Sequence, residues 1–469
     1  MKHKKLFLFI AAVILVTLAV CIHPGKLLQP RQEEPAEPRT AAAPVTYEGA
    51  AALISDSYQL QISSEKIIEA EGQTFHSSAA QVLNCSNLNS PDAVVQLRED
   101  VDCGAHSFSI REQYKNGTAL SDLENGRFSS VITLDDYLSR QIPAMIMDPS
   151  LYGSVQYSQS GTKTMVGFSE PSAPEHWAAP EEAVLEQASG SVLLSEDGSL
   201  ESCSYSAVYT HGSARVTLIV KTRLLPAEDS LFPEPDASVP CTDIDSLQIP
   251  RLLEYATGYL MQAESVQSQT EESIVCQAGN LQRVQKTDLS LQNTEENLTA
   301  DIQMDVELTD YNQGGTSRTI CQHEQYRDGS YTMTSDGQDS VTKDDTEITP
   351  EMMRLYAQNI LVGTVILPEH VTSAYITETE NSYLITFGGS EELAEIICSD
   401  ACETLYQDPE LMNDYVTSYK TEHIICSLEI SRETGLPMSS GLRYQGIHSI
   451  EDTSYLLKSE MNQTYRFEA

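Results

Sequence analysis

The hexapeptide Glu112-Gln113-Tyr114-Lys115-Asn116-Gly117 returns 212 residues later as Glu324-Gln325-Tyr326-Arg327-Asp328-Gly329. Four positions are identical, and the other two exchange Lys for Arg and Asn for Asp. A repeat of this kind predicts two copies of one module. It also predicts what lies at this point in each. Asn-Gly and Asp-Gly suit the positive φ angles of a two-residue type I′ turn, so each copy should carry a β-hairpin here.

Colinear features support the duplication. Thr133-Leu134-Asp135-Asp136 and Thr349-Pro350-Glu351-Met352 each read as a helix start, with a threonine N-cap and early acids. Strand-like Met165–Phe168 and Leu384–Phe387 follow, and then Glu196-Asp197-Gly198 and Glu433-Thr434-Gly435 read as turns. The offsets grow along the chain, as small loop insertions require. A late jump is assigned to an extra helix in the second copy, from Glu391 to Tyr406 with a tail to Tyr419. The first copy has only Glu181–Gln187 there.

Most of the remaining pattern reads as strand. Leu298, Ala300, Ile302, Met304, Val306 and Leu308 alternate with polar residues, the period of a half-buried antiparallel strand. Each copy opens with a helix, and in the second Leu252, Ala256, Tyr259, Leu260 and Ala263 share one face. The expected class is therefore α+β: two tandem modules, each a curved antiparallel sheet with a few helices packed on one face. The expected divisions are an apolar segment at 1–23, a stalk at 24–44, copy one at 45–225, a linker at 226–250 and copy two at 251–469. Pro226, Pro233, Pro235, Pro240 and Pro250 mark the linker.

The N-terminus sets the compartment. Lys2, Lys4 and Lys5 precede an apolar run from Leu6 to Ile22, interrupted only by Thr17. Positive charge before such a run directs the rest of the chain out of the cytoplasm. Three outcomes fit: a retained single-pass anchor, a cleaved signal, or a lipoprotein attached through Cys21, since Leu18-Ala19-Val20-Cys21 resembles a lipobox with Val where a small residue is usual. The anchor is preferred, because no small-x-small cleavage site follows closely. Five residues before the run leave no room for a cytoplasmic domain. Prolines and glutamates from Pro24 to Pro44 read as a semi-extended stalk.

Charge narrows the partners. There are 28 Lys and Arg against 69 Asp and Glu, a net charge of −41. Nucleic acid is excluded as a partner, since its binders need basic surface to displace counterions from phosphate. The expected partners are the membrane through the N-terminal segment, and a lipid or a protein. The cysteines outside the N-terminal run number nine and are scattered, which suits buried small hydrophobes better than a disulfide scaffold.

The exported N-terminus, the stalk, the opening helix and the alternating strands with Asn-Gly or Asp-Gly hairpins together resemble the LolA/LppX-like lipoprotein-carrier fold. That resemblance implies an apolar cavity that holds acyl chains or docks a partner. It matches no family motif, so it assigns no binding residue.

Catalytic patterns are few. The ten histidines never approach the spacing of a zinc-hydrolase helix, and no nucleophile elbow or phosphate-binding glycine loop occurs. Ser63-x-x-Lys66 and Ser160-x-x-Lys163 match the penicillin-binding string but lack its Ser-Asp-Asn and Lys-Thr-Gly companions. Cys398 and Cys402 read as core residues, the acids from Asp336 to Asp345 as a solvated loop, and Trp177 as a loop cover. No catalytic residue, metal site or cofactor is expected. The extra helix is the one candidate ligand- or partner-facing element, through Leu393, Ile396, Ile397 and Leu405, with Ile396, Ile397 and Leu405 expected to be buried on the sheet. The sequence thus reads as a non-enzymatic, envelope-anchored binding protein, with a carrier of an apolar ligand as the alternative and an enzyme third.

Overall fold

The computed structural model describes residues 56–468, except 124–125, 143–153, 170–182, 237–238, 277–280, 295–296, 337–339, 345–346, 364–370, 398–415 and 451–452. The apolar N-terminal run, Cys21, the stalk, Trp177, Cys398, Cys402 and Leu405 lie outside the described residues. Residues 45–469 form one compact unit.

Eleven strands come first: β1 (Tyr58–Ala70), β2 (Gln73–Ser86), β3 (Val94–Asp102), β4 (Ser107–Lys115), β5 (Thr118–Leu123), β6 (Gly126–Val131), β7 (Ser154–Ser160), β8 (Lys163–Ser169), β9 (Val184–Leu194), β10 (Leu200–His211) and β11 (Ala214–Leu225). A two-residue β12 (Thr242–Asp243) follows. Then come β13 (Ser265–Cys276), β14 (Leu281–Asn293), β15 (Leu298–Asp310), β16 (Thr316–Arg327), β17 (Ser330–Ser335) and β18 (Val341–Asp344). The last five are β19 (Val371–Glu378), β20 (Ser382–Gly389), β21 (Val416–Ser431), β22 (Pro437–Ile450) and β23 (Thr453–Phe467).

They build two sheets. The first runs β12-β6-β5-β4-β3-β2-β1-β11-β10-β9-β8-β7, and the second runs β18-β17-β16-β15-β14-β13-β23-β22-β21-β20-β19. Apart from β12, adding twelve to each strand number of the first order gives the second. The repeated hexapeptides fall at equivalent places, the β4–β5 and β16–β17 turns. Asn116 and Gly117 adopt φ of 54° and 78°, and Asp328 and Gly329 adopt 51° and 73°, the left-handed values such a turn needs. Tyr114 and Tyr326 are both buried beneath these turns.

The expected α+β class is corrected to a mainly β fold. Among the described residues the longer helices are α1 (Leu134–Gln141), α2 (Gln248–Gln262) and α3 (Pro350–Val362), with one further helical stretch at 391–397. Single strands reach 16 residues. Two stretches read as helical are strand. Residues 184–187 belong to β9, and Tyr419 belongs to β21. Glu, Gln, Ala and Leu dominate the start of β9, but its backbone is paired with β10, and that lateral pairing overrides local preference. Thr133 and Thr349 do cap α1 and α3, accepting from the amides of Asp136 and Met352.

One apolar cluster runs through both sheets. Helix α2 packs on the core face of the first sheet. Tyr255 lies edge-on to Phe108 at 5.5 Å, and Tyr259 lies edge-on to Phe75 at 5.9 Å. Phe75 also meets Phe467 of β23 at 5.5 Å, which ties the sheets together. Gly258 permits the close approach: a Cβ there would sit 2.6 Å from the Cβ of Cys103. The Gln73 side chain, at the start of β2, clamps the second sheet. Its amide donates to the carbonyls of Ser265 and Glu468, and its oxygen accepts from the amides of Glu264 and Ser265.

The proline-rich segment after β11 is tied down as it crosses the first sheet. The backbone of Glu228 exchanges two hydrogen bonds with Asn84, both 2.9 Å. Gln96 accepts from the amide of Leu231 and donates to the carbonyl of Phe232. Lys115 pairs with Glu234 at 2.7 Å, and Arg127 donates to the carbonyl of Asp236 at 2.6 Å. The chain then joins β6 as the parallel strand β12, and Ile244 bridges to Ala374 of β19. Edges of the two sheets are thereby zipped together.

Candidate functional site

Two features of the first sheet gather charged side chains: a buried ionic cluster on its core face, and a trough on its opposite face.

The cluster starts from the repeated hexapeptide. Along β4, even-numbered residues point into the core, which buries the carboxylate of Glu112 completely. Arg251 of α2 reaches it with Nη1 at 2.5 Å and reaches Glu99 of β3 with Nε at 3.0 Å. Tyr137 of α1 donates its hydroxyl to Glu112 at 3.0 Å and stacks on Tyr114 at 5.4 Å. Gln81 donates to Glu99 at 3.0 Å. Burial and then the Glu112 charge push the Tyr137 hydroxyl far above its ordinary pKa, so it stays a donor. Burial alone would lower the Arg251 pKa, but the Glu112 and Glu99 charges outweigh it and hold the guanidinium charged. A cavity of about 170 Å³ adjoins, lined in part by Arg140, Gln141, Gln248 and Tyr255. Every carboxylate oxygen partner here is a structural donor. The cluster pins α2 and α1 to the sheet.

The trough lies on the other face. A cleft of about 980 Å³ crosses β11, β1, β2, β3, β4 and β5, and one of about 840 Å³ crosses β8, β9, β10, β11, β1 and β2. They share Ser63, Ala80 and Lys221 and so form one trough. It spans nine neighbouring strands, about 38 Å at the usual strand spacing. Small side chains line it: Ser63, Ser78, Ala80, Ser109, Ser202 and Ser204. Strand alternation explains them. In β10, Cys203, Tyr205 and Ala207 are buried, while Ser202, Ser204 and Ser206 face away from the core.

Charge is unevenly spread along it. The β8–β11 end holds Lys163, Lys221 and Arg223 against one carboxylate, Glu201, which Lys163 already binds at 2.6 Å. Lys221 and Arg223 are exposed and have no ion-pair partner among the described residues. The β1–β5 end holds Glu65, Asp100, Asp102 and Asp122, with Arg111 and the shared Lys221. Arg98 and Ser109 hold Asp100, and Arg127 binds Asp122.

The residues singled out in the sequence take the following places. Ser63 and Lys66 point to opposite faces of β1, as positions three apart in a strand must, so they cannot act together. Ser63 lines the trough; burial lowers the pKa of Lys66. Lys163 is occupied by Glu201. Leu393 and Ile397 are buried, whereas Ile396 is 42% exposed, a correction to its expected burial. Ala394 is buried too, so the buried face centres between 394 and 397 and leaves 396 beyond its edge. Cys85, Cys103, Cys203 and Cys426 are free thiols whose pKa burial raises to about 12, which leaves them unreactive. Among the described residues no group of three or more His, Cys, Asp and Glu is placed to hold a metal ion. None of their helices is long and apolar enough to cross a membrane. The trough cations were missed. Their signal was the Lys-x-Arg alternation of β11, which puts two charges on one face of a strand in a strongly acidic chain.

No family model matches the chain, and no curated protein does. Among solved structures, LprF from Mycobacterium bovis is similar at a TM-score of 0.23 and 10% identity, covering 47% of this chain and 92% of that one. A candidate outer membrane protein from Bacteroides fragilis NCTC 9343 is similar at 0.18 and 7%, covering 89% of this chain and 99% of that one. These likenesses are weak. They place the chain in no family, and nothing about a ligand is carried over from them.

Proposed function

We propose that the protein is a non-enzymatic binding protein of the cell envelope, held at the membrane by its N-terminal segment, with its β-sheets outside the cytoplasm. The basic cluster followed by the 6–22 apolar run supports the location. The trough carries the binding assignment. It is open, its floor is small side chains, and its unpaired charges face solvent where a partner can meet them. An apolar carrier draws less support. Its cavity would lie on the core faces, and there α2 and the aromatic cluster of Phe75, Phe108, Tyr255 and Tyr259 fill the first sheet. Catalysis draws less again: the trough sets Ser63 opposite Lys221, and no hydrogen bond joins the two.

Fractionation of cells that produce the full chain tests this reading. The protein is expected in the membrane fraction and open to protease added outside spheroplasts. A protease-protected protein in the soluble cytoplasmic fraction would overturn it.

A further inference from the structure

The unequal charge of the trough points to the kind of partner. Carboxylates outnumber cations more than two to one in this chain, so two neighbouring cations on one strand face make a local reversal of its charge. Lys221 and Arg223 sit together on one face of β11, near the middle of the trough. Glu65 and Asp102 sit on β1 and β3, both in the row of Ser78. A ligand that uses both clusters needs an anionic and a cationic group on one extended frame. Lys221 and Arg223 are in register with Ser63 and Gln61 of β1, so the two pairs are centred two strands and three residues apart, about 14 Å, or four to five residues of extended polypeptide. The serines and Gln61 along the lining offer hydrogen bonds to peptide groups. Glycan recognition commonly uses exposed aromatic faces, and the one aromatic residue lining the trough, Phe108, is a buried core residue.

Resting on the binding-protein reading above, we propose that the trough takes an extended polypeptide segment of a partner protein. The segment's acidic side chain pairs with Lys221 and Arg223. A basic side chain four to five residues away pairs with Glu65 and Asp102. Opposite charges fix the direction in which the segment lies, and the chain's overall negative charge repels wholly acidic competitors.

The test uses the full chain in detergent and fluorescence anisotropy. The probe is a labelled Ser/Gly peptide of about twelve residues, enough to span the trough, with paired glutamates and paired lysines separated by four residues. A peptide of the same composition with its charges interleaved is the control, and an oligouronate is the glycan control. Binding of the segregated peptide is expected to be at least ten-fold tighter than that of the interleaved one, and weaker at high salt. Lys221→Glu with Arg223→Glu should abolish that preference without changing thermal unfolding, since both side chains are exposed. Arg318→Glu, on β16 of the other sheet, should leave it intact. Equal binding of the two peptides, indifference to the double substitution, or binding of the oligouronate alone overturns the proposal. Any of these in a protein that still fractionates as an exposed membrane protein would sink the ligand assignment and leave the location standing.

Discussion

Glu112 and Glu324 occupy the same position in the same hairpin of two sheets with the same strand order, yet they are satisfied differently. Glu112 is fully buried and paired with a cation, Arg251, which also holds Glu99. Glu324 is also buried but is held by neutral donors, the Tyr331 hydroxyl at 2.9 Å and the Gln322 amide at 2.6 Å. The difference traces to α2. That helix follows the segment between the sheets, and it delivers its arginine to the first sheet. A repeated sequence motif thus conserves a hairpin while the chemistry beneath it is set by whichever helix lands there.

The largest expected effect falls on this contrast. Arg251→Met leaves two buried carboxylates without their cation, and the cost should be about 3–5 kcal/mol in chemical denaturation. Glu324→Gln keeps the bond from Gln322 on its oxygen and donates its amide to the Tyr331 hydroxyl, which reverses that bond, and should cost about 1 kcal/mol or less. Equal losses at the two sites would break the comparison.

Ile397→Asp places an unpaired charge at a buried position of the second sheet's extra helical stretch, and should cost about 3 kcal/mol or more. Ile396→Asp, one residue earlier on the exposed side, should be within about 0.5 kcal/mol of wild type. Reversed effects would show that the buried face has been assigned to the wrong side.

Gly258→Ala probes the contact of α2 with the first sheet. The added methyl would meet the Cys103 side chain, and a loss of about 1–3 kcal/mol is expected, read as a lower denaturation midpoint. An unchanged midpoint would mean that α2 shifts freely.

The smallest effect is a pH dependence confined to the second sheet. His448 is buried on β22 and stacks on Tyr455 at 5.3 Å. Burial lowers its pKa below 6.5. A group with a lowered folded-state pKa binds its proton more readily when unfolded. Its contribution is therefore complete above pH 6.5 and is lost as pH falls below that value toward the folded pKa. His448→Gln should flatten that part of the stability profile; a profile unchanged by the substitution would remove His448 as its source.

Much of the second sheet was legible in the sequence, because β15 alternates strictly and the β16–β17 turn is marked by Asp328-Gly329. The first sheet was harder. The first residues of β9 carry helix-favouring side chains and become strand through their pairing with β10, which no local pattern reveals. The proline-rich segment after β11 reads in the sequence as a plain linker, because its hydrogen bonds go to Asn84 and Gln96, far away in sequence. The trough was invisible for a similar reason. Its serines lie on β1, β2, β4 and β10, and sheet order alone brings them together. Of the extra helix, the stretch at 391–397 is helical, but its buried face is rotated from the expected one, since Ala394 is too small to mark a buried face by hydrophobicity.

Native mass spectrometry of the full chain released from detergent, before and after organic extraction, tests most directly whether this is a binding protein with a filled core and an open trough. The same mass in both spectra is the expected result. A stoichiometric, extractable apolar ligand would contradict it and identify a carrier instead.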